Sequence, residues 1–202
     1  METEPTVTVV DDDTALRDSL ALLLKVAKLR PETYSSAERF LDQYDPDRPG
    51  CVLLDVSMPG MSGLELQELM AEKGWLTPVI VMAGNANVEM AVRATKAGAF
   101  DFIEKPFTAD ALLERIRQAL GEDREKRRRH ERRREIGARL SSLTPRERQV
   151  LDLMVAGRLS KEIAVELDIS IKTVEKHRAN VMAKTQAGSV ADLVSMVLSS
   201  GT

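Results

Sequence analysis

CVLLDVSMPGMSG, residues 51–63, is the stretch on which the prediction of the fold rests. Its first four residues are apolar without alternation, which is typical of a parallel strand covered by helices on both faces. Asp55 follows directly. Ser62 and Glu65 then have the S-x-x-E spacing of a helix N-terminus, in which side chain and backbone satisfy each other. The stretch therefore predicts a buried strand, a loop and a helix, with a carboxylate at the end of the strand.

The same alternation of strand-like and helix-like segments extends over residues 1–120. The other strand candidates are Thr6–Val10, Glu32–Tyr34, Val79–Met82 and Ala99–Ile103. Helical patterns occur at about Thr14–Lys28, Ser36–Gln43, Gly63–Glu72, Val88–Ala97 and Ala109–Leu120. Ser35 and Glu38 are a second predicted capping pair. Five βα repeats of this length predict an α/β domain, a doubly wound five-stranded parallel sheet with helices on both faces.

Residues 121–140, GEDREKRRRHERRREIGARL, are almost without apolar side chains. Their Glu and Arg content favours helix, but the segment is too charged to form a core. We predict an exposed linker helix, either separate from the preceding helix or continuous with it. Two interpretations of its charge stay open: a solvated spacer, or an arm that contacts DNA.

No strand is evident in residues 141–202, where four helical patterns predict a small all-α domain. The helices are Pro145–Ala156, Lys161–Leu167, Ile171–Lys184 and Val190–Leu198. The first opens with a capping box, Thr144 with Glu147, and has proline at its first position. The predicted N-caps of the others are Ser160, Ser170 and Ser189. The turn at residues 167–170 is short enough to set two helices at a steep angle.

The net charge of −3 conceals an asymmetry along the chain. Residues 1–120 carry 12 basic and 20 acidic side chains, residues 121–140 carry 9 and 5, and residues 141–202 carry 8 and 7. This asymmetry predicts different partners for the two ends. No apolar run approaches the roughly 20 residues that span a bilayer, and the acidic N-terminus is unlike a signal peptide. The single Cys51 cannot form an internal disulfide. Together these three features predict a cytoplasmic protein without a membrane partner.

Acidic side chains follow the first and third predicted strands, at the edge where doubly wound sheets bind ligands. These are Asp11, Asp12, Asp13 and Asp55. Such carboxylates repel one another unless a cation is bound, and hard oxygen ligands of this kind suit Mg²⁺. Lys105, after the fifth strand, can supply a second positive charge. A carboxylate in this setting can act as a nucleophile toward a phosphoryl group. For Asp13, a simple helix N-cap is an alternative.

The segments VVDDD, LLDVSMPGMSG and DFIEKPF resemble, in order and spacing, the signature segments of bacterial receiver domains. The resemblance covers residues 6 to about 120. It implies that Asp55 accepts a phosphoryl group from a histidine kinase, and that the protein is no enzyme beyond this self-phosphorylation. Further roles that it implies are Mg²⁺ binding by Asp11, Asp12, Asp55 and the backbone carbonyl of Ser57, phosphoryl contact by Lys105, a cis Lys105–Pro106 bond, and a rotating aromatic switch at Phe102.

Ala83 departs from the receiver pattern. Receivers usually have Ser or Thr after the fourth strand, and the hydroxyl of that residue binds the phosphoryl oxygen and draws the loop inward. Alanine cannot make this bond, and a charge-assisted hydrogen bond contributes roughly 1.5–3 kcal/mol. Either the coupling of the site to Phe102 is weakened, or the amides of Gly84 and Asn85 or a water compensate. Both alternatives stay open.

Residues 143–185, from LTPRERQ to MAKT, resemble the helix-turn-helix of LuxR/NarL/FixJ regulators, and the FixJ-like branch is the most similar. The second helix of such a motif enters the major groove. On the helix Ile171–Lys184, one stripe is predicted to face the core: Val174, His177, Arg178 and Val181. The opposite stripe is Lys172, Lys176, Ala179 and Ala183. The final helix offers Val190, Leu193, Val194 and Val197 to the core, and the resemblance implies that its other face pairs two domains. Thr185 stands where the family often has leucine.

The predicted DNA contacts lie on this second helix. We expect phosphate or purine contacts from Lys172, Lys176 and Arg178, and base contacts from Glu175 and Asn180. The predicted set is completed by Thr173, His177 and Lys184. His177 has packing or a phosphate contact as its simpler role, and Glu175 can instead act as a filter against wrong sequences or pair with Arg178. The charge of +1 for residues 141–202 predicts weak binding by one copy, which suits a dimer on two half-sites.

These features together predict a two-component response regulator that accepts phosphate on Asp55, dimerises and binds double-stranded DNA to regulate transcription. The dimer is expected to form through the face built from Val88–Ala97, Ala99–Ile103 and Ala109–Leu120. An alternative is a DNA-binding regulator that acts without phosphorylation because Ala83 disables the switch. A third, an α/β enzyme fused to a DNA-binding domain, is disfavoured because neither G-x-G-x-x-G nor a P-loop is present.

Overall fold

Five strands pair side by side in parallel, in the order β2-β1-β3-β4-β5, in a computed structural model that describes residues 4–84 and 88–199. The strands are β1 (Thr6–Val10), β2 (Arg30–Tyr34), β3 (Gly50–Asp55), β4 (Val79–Ala83) and β5 (Asp101–Glu104). β1, β3 and β4 are buried along their whole length, as expected of parallel strands that helices cover on both faces. The predicted five-stranded parallel sheet is confirmed; β2 starts two residues earlier than predicted, and β5 two residues later.

Helices cover both faces of this sheet. They are α1 (Thr14–Val26), α2 (Ala37–Gln43), α3 (Gly63–Glu72), α4 (Val88–Lys96) and the first part of α5 (Ala109–Ser141). One apolar cluster joins the sheet to α2, α3 and α4, and a second joins it to α1 and α5. Alternate residues of β3 serve the two clusters, with Leu54 in the first and Leu53 in the second. Asp55 therefore ends a strand that is fixed from both sides.

The predicted linker is the continuation of α5, which runs unbroken from Ala109 to Ser141. The chain divides into two compact units, Met1–Arg127 and Arg128–Thr202. The second unit contains α6 (Pro145–Val155), α7 (Ser160–Glu166), α8 (Ile171–Thr185) and α9 (Val190–Ser199). Ile136 and Leu140 of α5 are buried in its core, so this end of the linker is not an exposed spacer. Sequence reading missed these two side chains because they are isolated among charges.

Most of the predicted helix caps are present. Ser62 with Glu65 and Thr144 with Glu147 form capping boxes, and the side chains of Ser170 and Ser189 accept backbone N–H bonds at the starts of α8 and α9.

Two predicted caps are wrong by one residue. Ser36, not Ser35, caps α2 with its hydroxyl, and Leu159 is the N-cap of α7, whose first residue is Ser160. At α7 the carboxylate of Glu162 binds the Leu159 amide, so the helix start is satisfied without a capping hydroxyl. Within the described residues, no helix combines the length and apolar character needed to cross a membrane.

Candidate functional site

Carboxylates from two neighbouring strands meet at one edge of the sheet. Asp11 follows β1 and Asp55 ends β3, and both are almost fully buried, whereas Asp12 is exposed. One carboxylate oxygen from each of the three lies within 4.8 Å of the others. The oxygen-only donor set, with one ligand open to solvent, fits Mg²⁺, which keeps several waters when bound to proteins. The predicted grouping of Asp11, Asp12 and Asp55 is thus present in the fold.

Lys105 reaches this cluster from the loop after β5. Its Nζ donates to Oδ2 of Asp11 at 2.8 Å and to Oδ1 of Asp55 at 2.6 Å. The Lys105–Pro106 bond is cis, as the resemblance implied, and the Lys105 amide donates to the carbonyl of Ala83 at 2.8 Å. Burial alone would lower the pKa of Lys105, but the hydrogen bonds and charges of Asp11 and Asp55 outweigh it and raise the pKa above its ordinary value. The ammonium therefore stays charged beside Asp55.

Backbone groups fix the remaining oxygens of the two buried carboxylates. The Ser57 amide donates to Oδ2 of Asp55 at 2.8 Å, and the Asp13 amide donates to Oδ1 of Asp11 at 2.9 Å. The side chain of Asp13 accepts from the first amides of α1, so Asp13 has the simple role of an N-cap. The Mg²⁺ role predicted for the Ser57 carbonyl stays a prediction.

Two residues that sequence reading missed shape the site. Gly63 begins α3 so close to the end of β3 that a Cβ there would lie 1.9 Å from the carbonyl oxygen of Asp55. Arg17 of α1 donates to the Asp11 carbonyl at 2.6 Å. Gly63 lies in the Met-Ser-Gly that follows the Asp55 loop, and its spacing from Asp55 was the available signal. Nothing local to Arg17 indicates its contact.

The predicted switch residues lie on the two strands beside the site. Ala83 ends β4 and is buried, so no side-chain hydroxyl is present at this place. Phe102 of β5 is partly buried and packs against the cluster formed with α3 and α4. Gly84, one of the two predicted compensating residues, follows Ala83 and is exposed, whereas Asn85 lies outside the described residues.

Helix α8 presents the predicted DNA contacts. Lys172, Glu175 and Lys176 are exposed, as predicted for the outward stripe, while Val174 and Val181 are buried in the core. Lys184 is exposed as well, and the other members of the predicted set are half-buried: Thr173, His177, Arg178 and Asn180. Within the part of the chain that is described, Nδ1 of His177 is buried without a partner, and no ion pair joins Glu175 to Arg178. These two observations favour packing for His177 and leave Glu175 open to solvent.

Two predicted contact residues have structural partners instead. The Thr173 hydroxyl and that of the N-cap Ser170 lie 2.8 Å apart. Nζ of Lys184 donates to Oε2 of the buried Glu147 at 2.6 Å, which joins α8 to the capping box of α6. Lys184 therefore neutralises an internal carboxylate, which leaves less of its charge for DNA.

Comparisons with known proteins agree with this geometry. Residues 7–117 match the family described as response regulator receiver domain, and residues 141–197 match bacterial regulatory proteins, luxR family. The chain is 47% identical over 195 residues to transcriptional regulatory protein FixJ of Azorhizobium caulinodans, covering 96% of this chain and 92% of that one. It is 43% identical over 191 residues to response regulator protein TmoT of Ectopseudomonas mendocina, covering 95% and 87%.

Solved structures give the same result for the fold. The response regulator StyR matches with a TM-score of 0.90 and 43% identity, over 97% of this chain and 99% of that one. Full-length FixJ from B. japonicum matches with a TM-score of 0.60 and 42% identity over 98% of both chains. The resemblance drawn from the sequence motifs is confirmed. The chain belongs to the two-component response regulators in which a receiver domain is joined to a LuxR-type DNA-binding domain.

Proposed function

We propose that Asp55 accepts a phosphoryl group from a sensor histidine kinase and that the phosphorylated protein binds double-stranded DNA as a dimer to regulate transcription. The observation that carries the proposal is the Lys105 ammonium, 2.6 Å from Oδ1 of Asp55 within a cluster of three carboxylates. The cytoplasmic location stays a prediction, as does the absence of any enzymatic activity beyond self-phosphorylation.

The residues of the site have separate parts in the transfer. An oxygen of Asp55 forms the new P–O bond, while the bond from phosphorus to the donor breaks and its electron pair leaves with the donor. Lys105 offsets the charge on the phosphoryl oxygens, and the Ser57 amide orients Asp55 through its other oxygen. Asp11, Asp12 and Asp55 would hold Mg²⁺, which when bound neutralises charge on the phosphoryl group and on the carboxylates.

The DNA-binding part of the proposal rests on α8. Its exposed Lys172 and Lys176 suit phosphate contacts, and Glu175 and Asn180 are the residues proposed to contact bases. Arg178 is half-buried and is proposed for a phosphate or purine contact as well. Because one copy offers few cations, binding at two half-sites by a dimer supplies the affinity that a single copy lacks.

Substitution of the phosphoacceptor tests the proposal. After incubation with acetyl phosphate and Mg²⁺, we expect the intact mass of the wild type to increase by one phosphoryl group and that of Asp55→Asn to stay unchanged. Asp42→Asn, the same change at an exposed position of α2, is the control and should gain the group. Gain of a phosphoryl group by Asp55→Asn, or none by the wild type, would contradict the proposal.

A second candidate function is DNA binding that does not depend on phosphorylation, and the buried Ala83 is the observation that favours it. The affinity of the wild type for operator DNA, with and without beryllofluoride, separates the two candidates. A higher affinity with beryllofluoride supports the phosphorylation-dependent regulator. Equal affinities in a protein that does accept phosphate support the independent one.

A further inference from the structure

A buried carboxylate lies in the charged segment after the sequence-predicted end of the receiver. Asp123 of α5 is 1% exposed, although its neighbours along the chain are almost all charged. Its Oδ2 accepts a hydrogen bond from the Gly50 amide at 2.9 Å, and Nε of Arg127 lies 2.9 and 3.0 Å from its two oxygens. Removing a charged carboxylate from water costs free energy, so buried carboxylates in proteins are usually paired and hydrogen-bonded. Asp123 is both.

Arg127 binds the loop between α2 and β3 with the rest of its guanidinium. Nη1 donates to the carbonyl of Asp47 at 2.8 Å, and Nη2 donates to the carbonyls of Pro46 and Arg48 at 3.0 and 2.8 Å. Nη2 also lies 3.3 Å from the hydroxyl of Thr77, just before β4. A planar guanidinium with five fixed donors suits such a set of acceptors, which a lysine cannot satisfy.

These contacts set residues 121–127 apart from the rest of the charged segment. Burial raises the pKa of Asp123 above its ordinary value, and the Gly50 amide and Arg127 offset only part of that rise. The first compact unit of the chain extends to Arg127 and so includes these residues. The side chain of Arg124, by contrast, is exposed on the same helix.

Two elements connect these contacts with the phosphorylation site. β3 has the Gly50 amide at its first residue and Asp55 at its last. Helix α5 begins at Ala109, shortly after Lys105, and carries Asp123 and Arg127 further along. Both elements therefore run from the neighbourhood of Lys105 and Asp55 to the contacts of Asp123 and Arg127 with the α2–β3 loop.

We propose that Asp123 and Arg127 form a latch that holds residues 121–127 on the receiver and positions α5 so that phosphorylation of Asp55 changes DNA binding. The inference rests on the proposed phosphorylation-dependent function. The two residues touch neither phosphate nor DNA; they are positioning residues. Without the latch, the segment that leads into the DNA-binding unit loosens from the receiver, and the effect of phosphorylation is lost before it reaches residue 128.

Amide hydrogen exchange of the full chain tests the structural half of the latch without reference to phosphorylation. In Arg127→Ala, we expect amides of residues 121–127 and of Gly50 to exchange at least about tenfold faster than in the wild type. Arg124→Ala is the matched control, since it removes the same charge from an exposed position of the same helix, and should leave these rates unchanged. Equal rates in the wild type and Arg127→Ala would overturn the latch.

The functional half is tested by the ratio of DNA affinities with and without beryllofluoride. Coupling between two sites is typically about 5- to 150-fold, and we expect Arg127→Ala to lose most of the wild-type ratio while Arg124→Ala retains it. The rate of phosphorylation by acetyl phosphate and the affinity without beryllofluoride should stay at wild-type values, which a merely unfolded receiver would not allow. A wild-type ratio in Arg127→Ala overturns the coupling role.

Two further variants keep the test decisive if Arg127→Ala fails to fold. The double variant Asp123→Ala/Arg127→Ala removes both charges and leaves neither unpaired, so it should fold. Its DNA affinity should still respond little to beryllofluoride. Arg127→Lys keeps the charge beside Asp123 but loses the bonds to the loop carbonyls, and should give an intermediate ratio. If the wild type binds DNA equally well with and without beryllofluoride, the proposed function fails. The exchange experiment still decides whether the latch exists.

Discussion

At the scale of single residues, Ala83 leaves the proposed phosphorylation site without a side-chain hydroxyl at the end of β4. Ala83→Thr adds that hydroxyl, and Ala83→Val adds the same volume without it. We expect Ala83→Thr to increase the effect of beryllofluoride on DNA affinity by about tenfold, the equivalent of one charge-assisted hydrogen bond. Ala83→Val should not increase it. If beryllofluoride has the same effect on DNA affinity in both variants, the missing hydroxyl does not limit the response. A backbone amide such as that of Gly84 would then already donate the hydrogen bond to the phosphoryl oxygen.

The structure requires glycine at position 63 but not at position 121, so the same change to alanine can be compared at the two positions. Gly63→Ala places a Cβ 1.9 Å from the Asp55 carbonyl oxygen, whereas a Cβ at Gly121 in α5 meets nothing within 4 Å. We expect Gly63→Ala to lower the free energy of unfolding by about 1–3 kcal/mol because β3 and α3 must separate. Gly121→Ala should raise it by up to about 1 kcal/mol through helix propensity. Urea unfolding of both variants measures the difference, and the same sign in both would contradict this account.

The cluster of Asp11, Asp55 and Lys105 was predictable from the sequence because each of these residues has a local signal. Asp11 and Lys105 follow strands and Asp55 ends one, and parallel pairing places the carboxyl ends of these strands at the same edge of the sheet. Asp123 has no such signal. Its burial depends on the amide of Gly50, 73 residues earlier in the chain, and a run of charges gives no indication of that contact.

At the scale of elements, α6 and α8 are joined by the ion pair between Glu147 and Lys184. The Lys184 ammonium, with help from the Thr144 amide, lowers the pKa of Glu147 from its ordinary 4.5 to about 2. A carboxylate whose pKa is lower in the folded state stabilises that state above its unfolded pKa. The contribution is therefore complete above about pH 4.5 and is lost as the pH falls toward 2.

This pH dependence is measured as the difference in urea unfolding midpoint between the wild type and Glu147→Gln. We expect Glu147→Gln to be less stable at pH 6, and the difference to narrow as the pH is lowered through 4. Glu166→Gln, the same change at an exposed position of α7, is the control and should differ little from the wild type at either pH. A difference for Glu147→Gln that is constant from pH 6 to 3 would rule out ionisation of this carboxyl as its source.

Element boundaries were predictable where a cap or a break ends the pattern. The start of α6 is marked by three neighbouring signals, the N-cap Thr144, proline at position 145 and the capping-box Glu147. The end of α5 has no such signal, because Glu and Arg favour helix throughout residues 121–140. In the structure, Ile136 and Leu140 are buried in the core of the second unit. Two apolar side chains among charges do not reveal a core whose other residues come from α6 to α9.

At the scale of the whole molecule, the charge is divided between the two compact units. Residues 1–127 have a net charge of −8 and residues 128–202 of +5, because six arginines and only two glutamates lie in residues 128–140. The second unit is thus more basic than residues 141–202 alone. Non-specific affinity for DNA follows the number of cations that meet phosphates. Both copies of a dimer would bring this charge to the same DNA, so the oligomeric state governs affinity.

Dimerisation through the receiver is tested on the exposed face of α4. Val88 and Val92 lie one turn apart on this helix and are 81% and 45% exposed. In a two-fold interface each substitution occurs twice. We expect Val92→Asp to weaken dimerisation at least about 100-fold, because burial of an unpaired carboxylate costs several kcal/mol.

Sedimentation equilibrium with beryllofluoride should then give a dimer for the wild type and a monomer for Val92→Asp. Leu22→Asp, on the exposed side of α1, is the control and should remain dimeric. A Val92→Asp dimer as stable as that of Leu22→Asp would place the interface on another face of the receiver.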